Sequence, residues 1–361
     1  MTPGQQARLG SAAEVNSEAY EAYLRGRSYW STASTQQEHK KAQSYFEEAI
    51  RKDPRFAPAY AGLADCYLGL GSLRWLRPQD ASRPAKEAIR KALELDATLG
   101  EAHHALGWLS WQYDWDWPTA EKEFRYALEL NPNDVDGRIG FLWYLAWSAR
   151  STEALDESKK IRALDPTNYF NFGSEPGIYY HLRDYKALIE AGRNFVASVP
   201  GEWSSHYFLG VGYEGSGRSL DAIPEYQKAI DLSHGDQDPT AALAHAYAAL
   251  GRRAEAEKIL GELERQSQTG YVSPYMIAAI YAGLGNKDRS FEFLEKAYQE
   301  RSSDLPYFIK ADLRIDNLRS DPRFQDLMRR VTVTREPQHS LADPQPATPR
   351  SGAEAASSPQ P

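Results

Sequence analysis

A period of 34 residues constrains this chain more than any other feature. In steps of 34, Leu209 is followed by Leu243 and Ile277, Gly210 by Ala244 and Ala278, and Tyr213 by Tyr247 and Tyr281. Gly217, Gly251 and Gly285 keep the same phase, as do Ala222, Ala256 and Ser290, and then Ala229, Leu263 and Ala297. Upstream, Pro132, Pro166 and Pro200 form a second ladder, with His234 in the next place. A fixed period of this length is the mark of a repeat architecture. Within one period, Leu209, Gly210 and Tyr213 lie on one face of a helix, and a small residue beside a large one lets two helices approach. The glycine at 217, 251 and 285 stands where that helix stops, because it tolerates the left-handed conformation of a helix C-terminus. A second helix follows with Ala222, Tyr226 and Ala229 inward, and the closing proline ends it.

The large–small–aromatic first helix, the glycine stop and the terminal proline resemble the tetratricopeptide repeat, a 34-residue pair of antiparallel helices. The resemblance covers residues 16–301 and implies an all-α right-handed superhelix, an α-solenoid, of about eight helix pairs. The units fall at about 19–54, 57–96, 100–132, 133–166, 167–200, 201–234, 235–268 and 271–301. The fourth and fifth are degenerate: Glu175 and Pro176 stand where a leucine and a glycine belong. Insertions at Ser31–His39 and Gly71–Pro84 are expected to lengthen two inter-helix turns, which absorb length cheaply. Residues 302–330 read as a C-terminal cap for the hydrophobic face of the last repeat, ending in an amphipathic helix around Phe324, Leu327 and Met328. Residues 1–15 read as a linker. From 331 to 361 the composition changes, with six prolines between Pro337 and Pro361, and a disordered tail is expected.

Composition narrows the function. At 42% apolar and 25% charged residues the chain is an ordinary folded one. A charge of −8, from 50 acids against 42 bases, speaks against a general nucleic-acid binder. No apolar run approaches the ~18 residues of a membrane-spanning helix, and Met1–Gly10 lacks the apolar core of a secretory signal. A single cysteine, Cys66, leaves no disulfide framework or thiolate metal cluster, so a cytoplasmic location is expected. Several strings narrow the resemblance further: the opening from Leu9 to Trp30, the run Tyr60–Asp65, the turn Tyr113–Trp117 and the ending Leu318–Phe324. These look like the C-terminal repeat region of bacterial multidomain regulators, in which a winged-helix domain or a Ser/Thr kinase, often with a TolB-like domain, precedes the repeats. The chain has no Gly-rich loop with lysine, no His-Arg-Asp string and no basic recognition helix, so neither catalysis nor DNA binding is carried over. It reads as a free-standing repeat protein or as the tail of a longer product.

The chemistry-bearing residues mostly have structural readings. His103 and His104 are adjacent on a helix and point about 100° apart, so they chelate poorly. Asp114 and Asp116 lie in a turn, where aspartate caps helices. Cys66 beside Tyr67 reads as an inert buried thiol, and Gly215–Gly217 is a turn without the strand or lysine of a phosphate loop. No catalytic, metal or cofactor site is expected. What remains is the concave channel lined by the first helices. Tyr23, Arg27, Trp30, His104, Trp108, Trp111, Trp143, Tyr180, Tyr207 and His245 are expected there, with Tyr20, Asp65, Glu101, Glu214 and Tyr275 nearby. The set is aromatic and poor in lysine, so it lacks the Lys/Asn/Arg clamp that holds chaperone tails. The expected function is a non-enzymatic scaffold with a peptide or protein partner in the channel, and neither nucleic acid nor membrane as a ligand. The alternative is a sensory module acting in cis.

Overall fold

In a computed structural model, residues 16–32, 35–168 and 170–332 are described; the expected linker and all but two residues of the expected tail lie outside them. Eight antiparallel helix pairs follow one another. They are α1 (Ser17–Thr32) with α2 (Gln36–Lys52), α3 (Ala57–Ser72) with α4 (Pro78–Leu95), and α5 (Gly100–Leu109) with α6 (Trp117–Leu130). Next come α7 (Val135–Trp147) with α8 (Ser151–Leu164), α9 (Phe170–Leu182) with α10 (Tyr185–Ser198), and α11 (Trp203–Gly215) with α12 (Ser219–Ser233). The last are α13 (Gln237–Ala249) with α14 (Arg253–Gln266) and α15 (Pro274–Gly283) with α16 (Lys287–Gln299). The short α17 (Asp304–Phe308), a 3-10 turn over Leu313–Leu318 and α18 (Pro322–Thr332) close the chain. Among the described residues there is no strand, and no helix is long and apolar enough to cross a membrane.

Four of the pairs are keyed by an aromatic ring of the second helix seated on a glycine of the first. A Cβ on Gly210 would stand 2.6 Å from Tyr226 Cε1, one on Gly107 would meet the Phe124 ring at 3.0 Å, and Phe46 fills the space beside both Gly26 and Gly62. In the fifth pair the ring of Phe195 sits on Gly173, 3.3 Å from where its Cβ would stand, and Gly177 takes the Trp143 ring of the preceding repeat at 2.4 Å. The pair therefore packs despite Pro176.

The turns after the last six first helices each hold a left-handed residue, and the period shows there most plainly. Trp115, Ala149, Arg183, Gly217, Gly251 and Gly285 all have φ between 55° and 77° and lie 34 residues apart. The next residue opens the second helix in one of two ways. Asp116, Asp184 and Asn286 accept a backbone N–H from the helix they precede, which supplies the N-cap. Arg150, Arg218 and Arg252 instead pair with the acid three residues on, Glu153, Asp221 and Glu255.

Three expectations are corrected. The insertions at Ser31–His39 and Gly71–Pro84 lengthen helices more than turns. Thr35 forms a capping box with Glu38, so α2 starts at Gln36, and Pro78 stands in the first turn of α4, where its missing N–H costs nothing. The last helix carries Val331 and Thr332, which were expected in the tail. Finally, the C-terminal segment does more than cover the end of the stack. Leu305, Phe308, Ile309 and Ile315 are buried, because α17 and the 3-10 turn fold back into the channel. Tyr307 lies 4.2 Å from the Trp147 ring, and Phe308 stacks on Tyr275 at 5.4 Å. Arg314 sits over Phe308 and pairs with Asp312 at 2.8 Å, and Tyr275 donates its hydroxyl to the same carboxylate. The apolar lining that the first helices present is thus covered by the chain itself.

Ion pairs stitch the two ends of the superhelix together. Arg74, held at φ 61° in the turn after α3, reaches Asp236 at 2.9 Å, Asp238 at 2.8 Å and Asp304 at 3.1 Å. Arg183 pairs with Asp316. The Trp117 indole N–H donates to the Val331 carbonyl at 3.3 Å, and Arg301 stacks on Trp115.

Candidate functional site

The strap formed by α17 and the 3-10 turn divides the channel. In the C-terminal half the expected channel residues are interior ones. Tyr180 and Tyr207 are buried beside Phe308 and the Arg314–Asp312 pair. Burial pushes both hydroxyls well above the usual tyrosine range, with Asp312 adding to the rise. Tyr275 is fully enclosed as well. His245 Nδ1 lies 2.7 Å from Glu214, whose other oxygen accepts the Tyr226 hydroxyl. This buried network leaves neither the histidine nor Glu214 free for a ligand. Trp111 is fully buried, 3.9 Å from Trp147. The structure therefore corrects the sequence reading at Trp111, Tyr180 and Tyr207, which are core residues and not channel wall.

The N-terminal half is different. Tyr23, Arg27, Trp30, Trp108 and Trp143 are all half-buried, and the strap does not pack on Tyr23, Arg27 or Trp30. Helical spacing sets these positions. Tyr23 and Arg27 are four apart on α1, and His104, Trp108 and Trp111 follow i, i+4, i+7 through α5 into the π-helical turn at Ser110–Asp114. Asp136, Gly140 and Trp143 do the same on α7. Spacings of three and four place side chains on one helix face. Arg27 crosses the channel to Asp136 at 2.6 Å, with 30% and 39% of the two side chains exposed. His104 and Asp65 lie beneath, each side chain only 9% exposed, with Nδ1 and Oδ1 3.9 Å apart.

Burial decides the protonation here. It pushes the Asp65 carboxyl well above the usual range, against the pull of Arg27 and with help from Asp136, Asp134 and Glu101. Burial also lowers His104 to about 4, so its ring is neutral at pH 7. The Tyr23 hydroxyl is pushed up to about 12, again by burial first. Burial works against the Arg27 charge, but Asp136, Asp65 and Asp134 more than offset it.

The other histidine and cysteine candidates are structural. His103 Nδ1 is 2.6 Å from the buried Glu123, with Nε2 3.0 Å from the Ala97 carbonyl. Cys66 is buried, and burial raises its thiol well above the usual range, which suppresses the reactive thiolate. Asp116 caps α6 by accepting the Thr119 N–H. Among the described residues, no group of three or more His, Cys, Asp or Glu is placed to hold a metal ion. The arrangement presents a mixed aromatic and acidic wall. Sequence reasoning named Asp65 and Glu101 but missed Asp134 and Asp136, whose signal is their position at the N-cap and in the first turn of α7.

The tetratricopeptide repeat pattern matches residues 215–273 and again 275–304. The chain is 22% identical over 320 residues to the transcriptional regulator HilA of Salmonella typhimurium, which covers 87% of this chain and 48% of the regulator. It is 24% identical over 286 residues to Superkiller protein 3 of Schizosaccharomyces pombe, covering 77% of this chain and 18% of that protein. The chain thus spans about half or less of these relatives. Among solved structures, yeast Tom70 superposes with a TM-score of 0.50 at 17% identity, over 88% of this chain and 69% of Tom70. Human IFIT1, solved with PPP-AAAA, gives 0.51 at 16% identity, over 78% of this chain and 72% of that one. At these identities the likeness is one of fold.

Proposed function

We propose that this chain, a solenoid of tetratricopeptide repeats, is a non-enzymatic interaction scaffold that takes a peptide or protein segment in the N-terminal half of its channel. One observation carries this reading: the strap buries the C-terminal half of the lining and leaves Tyr23, Arg27, Trp30, Trp108 and Trp143 half-exposed on the first helices α1, α5 and α7. An extended surface of this kind suits a chain-like ligand better than a small molecule, which needs a concave, enclosed pocket. Aromatic-lined grooves favour proline-rich strands, which are already extended and lose little entropy on docking. The acids at Asp65, Glu101, Asp134 and Asp136 favour a segment with positive charge.

The test is a panel of proline-rich peptides titrated against the whole chain and against Trp108→Ala/Trp143→Ala. Each ring contributes about 2 kcal/mol if it anchors the ligand, so the double variant binds at least tenfold more weakly; because Trp143 also packs on Gly177, its melting temperature is expected to fall, and binding is compared at a temperature where both proteins are folded by circular dichroism. Equal affinity in the variant places the binding surface on the convex face.

A second reading is favoured by the similarity to HilA across 87% of the chain. In it the solenoid is the sensory part of a larger regulator, and its partner is a domain of the same polypeptide. Detection of the native product at 40.6 kDa, and no larger, argues for the free-standing form.

A further inference from the structure

The strap lies in the channel as a ligand would. From Asp304 to Leu318 it crosses the first helices of four pairs. Tyr307 meets the Trp147 ring of α7 at 4.2 Å and the His181 ring of α9 at 5.5 Å. Phe308 stacks on Tyr275 of α15 at 5.4 Å and stands edge-on to Tyr180 of α9 at 6.3 Å. The Arg314–Asp312 pair lies beside Tyr207 of α11. The wall it covers is built like the open one. Tyr207 and Tyr275 stand three residues before Gly210 and Ala278, as Tyr23 stands three before Gly26.

Hydrogen bonding and attachment separate the strap from the helices around it. The Trp147 indole N–H, the Tyr180 hydroxyl and His181 Nε2 are buried without a partner among the described residues, and each belongs to a ring that a strap ring touches. A buried polar atom left unpaired costs free energy that an apolar side chain in its place would not. Burial, with the Lys310 charge adding to it, keeps the His181 ring neutral. The three unpaired groups are thus uncharged at pH 7 and suit a peptide backbone better than an ion. The strap fills the shape of the channel and leaves its polar atoms unmet. Its attachment is that of a loop. α18, which follows it, is fixed to α16 by Arg330–Glu295 at 2.7 Å and Arg323–Asp288 at 2.8 Å, with Leu294 and Leu327 buried. Before it, Arg301 turns the chain at φ 55°. Pinned at both ends, the strap can leave the channel without undocking the last helix.

We propose that the strap is a built-in competitor: it occupies a second peptide site, in the C-terminal half of the channel, from which a partner segment with a proline, two aromatic residues and an aliphatic one displaces it. The strap's own Pro306–Tyr307–Phe308–Ile309 defines that chemistry, because Tyr307 and Phe308 are the rings that Trp147, His181, Tyr180 and Tyr275 receive. The incoming segment gains over the strap by setting backbone groups against the polar atoms that the strap leaves unpaired. This second site does not depend on the one in the N-terminal half; the two share the premise that the channel takes a chain-like ligand.

Hydrogen exchange followed by mass spectrometry on the full wild-type chain reads the opening. The Ile309, Ala311 and Asp312 amides, hydrogen-bonded within the strap, are expected to exchange at least tenfold faster than the amides of α15 and α16, because a displaceable segment opens below global unfolding. Equal protection of strap and helices overturns the proposal. The binding probe is a fluorescein-labelled peptide of residues 304–318. A strap that is closed about nine-tenths of the time weakens the apparent affinity about tenfold. Phe308→Ala in the full chain is therefore expected to bind the peptide at least tenfold more tightly than the wild type. Asp304→Asn/Asp316→Asn cuts the ties of the strap to Arg74 and Arg183 without opening a cavity, and is expected to move the affinity the same way. Saturating peptide is expected to speed exchange of the wild-type strap further. Equal binding by all three proteins, or binding that leaves the exchange of the strap unchanged, overturns the proposal; if such binding falls in Trp108→Ala/Trp143→Ala, the N-terminal site stands. Binding by none of them also overturns it, and leaves the N-terminal site to its own panel of proline-rich peptides. Strap opening that depends on protein concentration assigns the site to the strap of a second copy and overturns the partner segment.

Discussion

Replacing Arg74 by methionine probes how the superhelix is closed. The guanidinium is 6% exposed and within 3.1 Å of three carboxylates, Asp236, Asp238 and Asp304. Methionine keeps most of the volume and removes the charge, so the carboxylates are left buried and facing one another. Removing one partner of a buried ion pair costs about 3–5 kcal/mol. The loss depends on pH, and its sign follows from Asp238. Burial raises the Asp238 carboxyl from 3.8 to about 7, against the pull of Arg74. The folded chain therefore binds more protons than the unfolded one between about pH 4 and pH 7, and stability falls as pH rises through that window. Without Arg74 the pull is gone and the folded-state value moves higher, each unit being worth about 1.4 kcal/mol. The gap between wild type and Arg74→Met is thus smaller at pH 5 than at pH 8. Urea unfolding followed by circular dichroism at the two pH values measures it. Partial recovery in Arg74→Met/Asp238→Asn is expected, since the second change removes one of the stranded charges. A loss under about 1 kcal/mol that does not change with pH refutes the argument, and shows the cluster to be a surface-like contact of no consequence.

Other substitutions test the packing and the turns. Gly210→Leu drives a side chain into Tyr226, and overpacking of this kind costs about 1–3 kcal/mol, read as a lower urea midpoint. Phe46→Ala empties the ring space shared by Gly26 and Gly62, with an expected loss of about 3–5 kcal/mol in the same experiment. Ala149→Gly relieves a left-handed alanine at φ 62° and is expected to stabilise by about 1 kcal/mol, raising the melting temperature. Deletion of 337–361 is expected to leave the melting temperature unchanged, because that composition buries too little apolar surface to offset its ordering; a clear drop in scanning calorimetry would contradict this.

The repeat was legible in the sequence because it is local. The Gly210–Tyr226 key, the stop at Gly217 and the caps of the second helices each involve residues fewer than 35 apart, and the 34-residue period displays them several times over. The left-handed ladder was half visible: Gly217, Gly251 and Gly285 announce it, but Trp115, Ala149 and Arg183 adopt the same φ with a side chain, which residue type alone does not signal. The strap was not legible. Leu305 and Phe308 look like any cap, and nothing in their neighbourhood names Tyr275 or Trp147 as their destination. Arg74 was invisible for the same reason, since its partners lie more than 160 residues away. The candidate channel was therefore read at full length, although the strap covers half of it. The positions that stayed open, Tyr23, Arg27 and Trp30, lie at the end of the channel that the strap does not reach.

The stitching of the two ends also changes how such a chain folds. In an open solenoid each repeat touches only its neighbours, so contacts are local and structure propagates from any starting point. Here Arg74 waits for Asp304, Trp117 for Val331 and Trp147 for Tyr307. These pairings raise the contact order, which slows folding. They also set an order during synthesis, since domains generally fold as the chain emerges. The N-terminal repeats leave the ribosome long before α17 exists, with Trp147, Tyr180 and Tyr275 still uncovered. A nascent chain of this sequence exposes a continuous aromatic face until Asp304–Leu318 arrives, and over that interval it is a natural client for a chaperone.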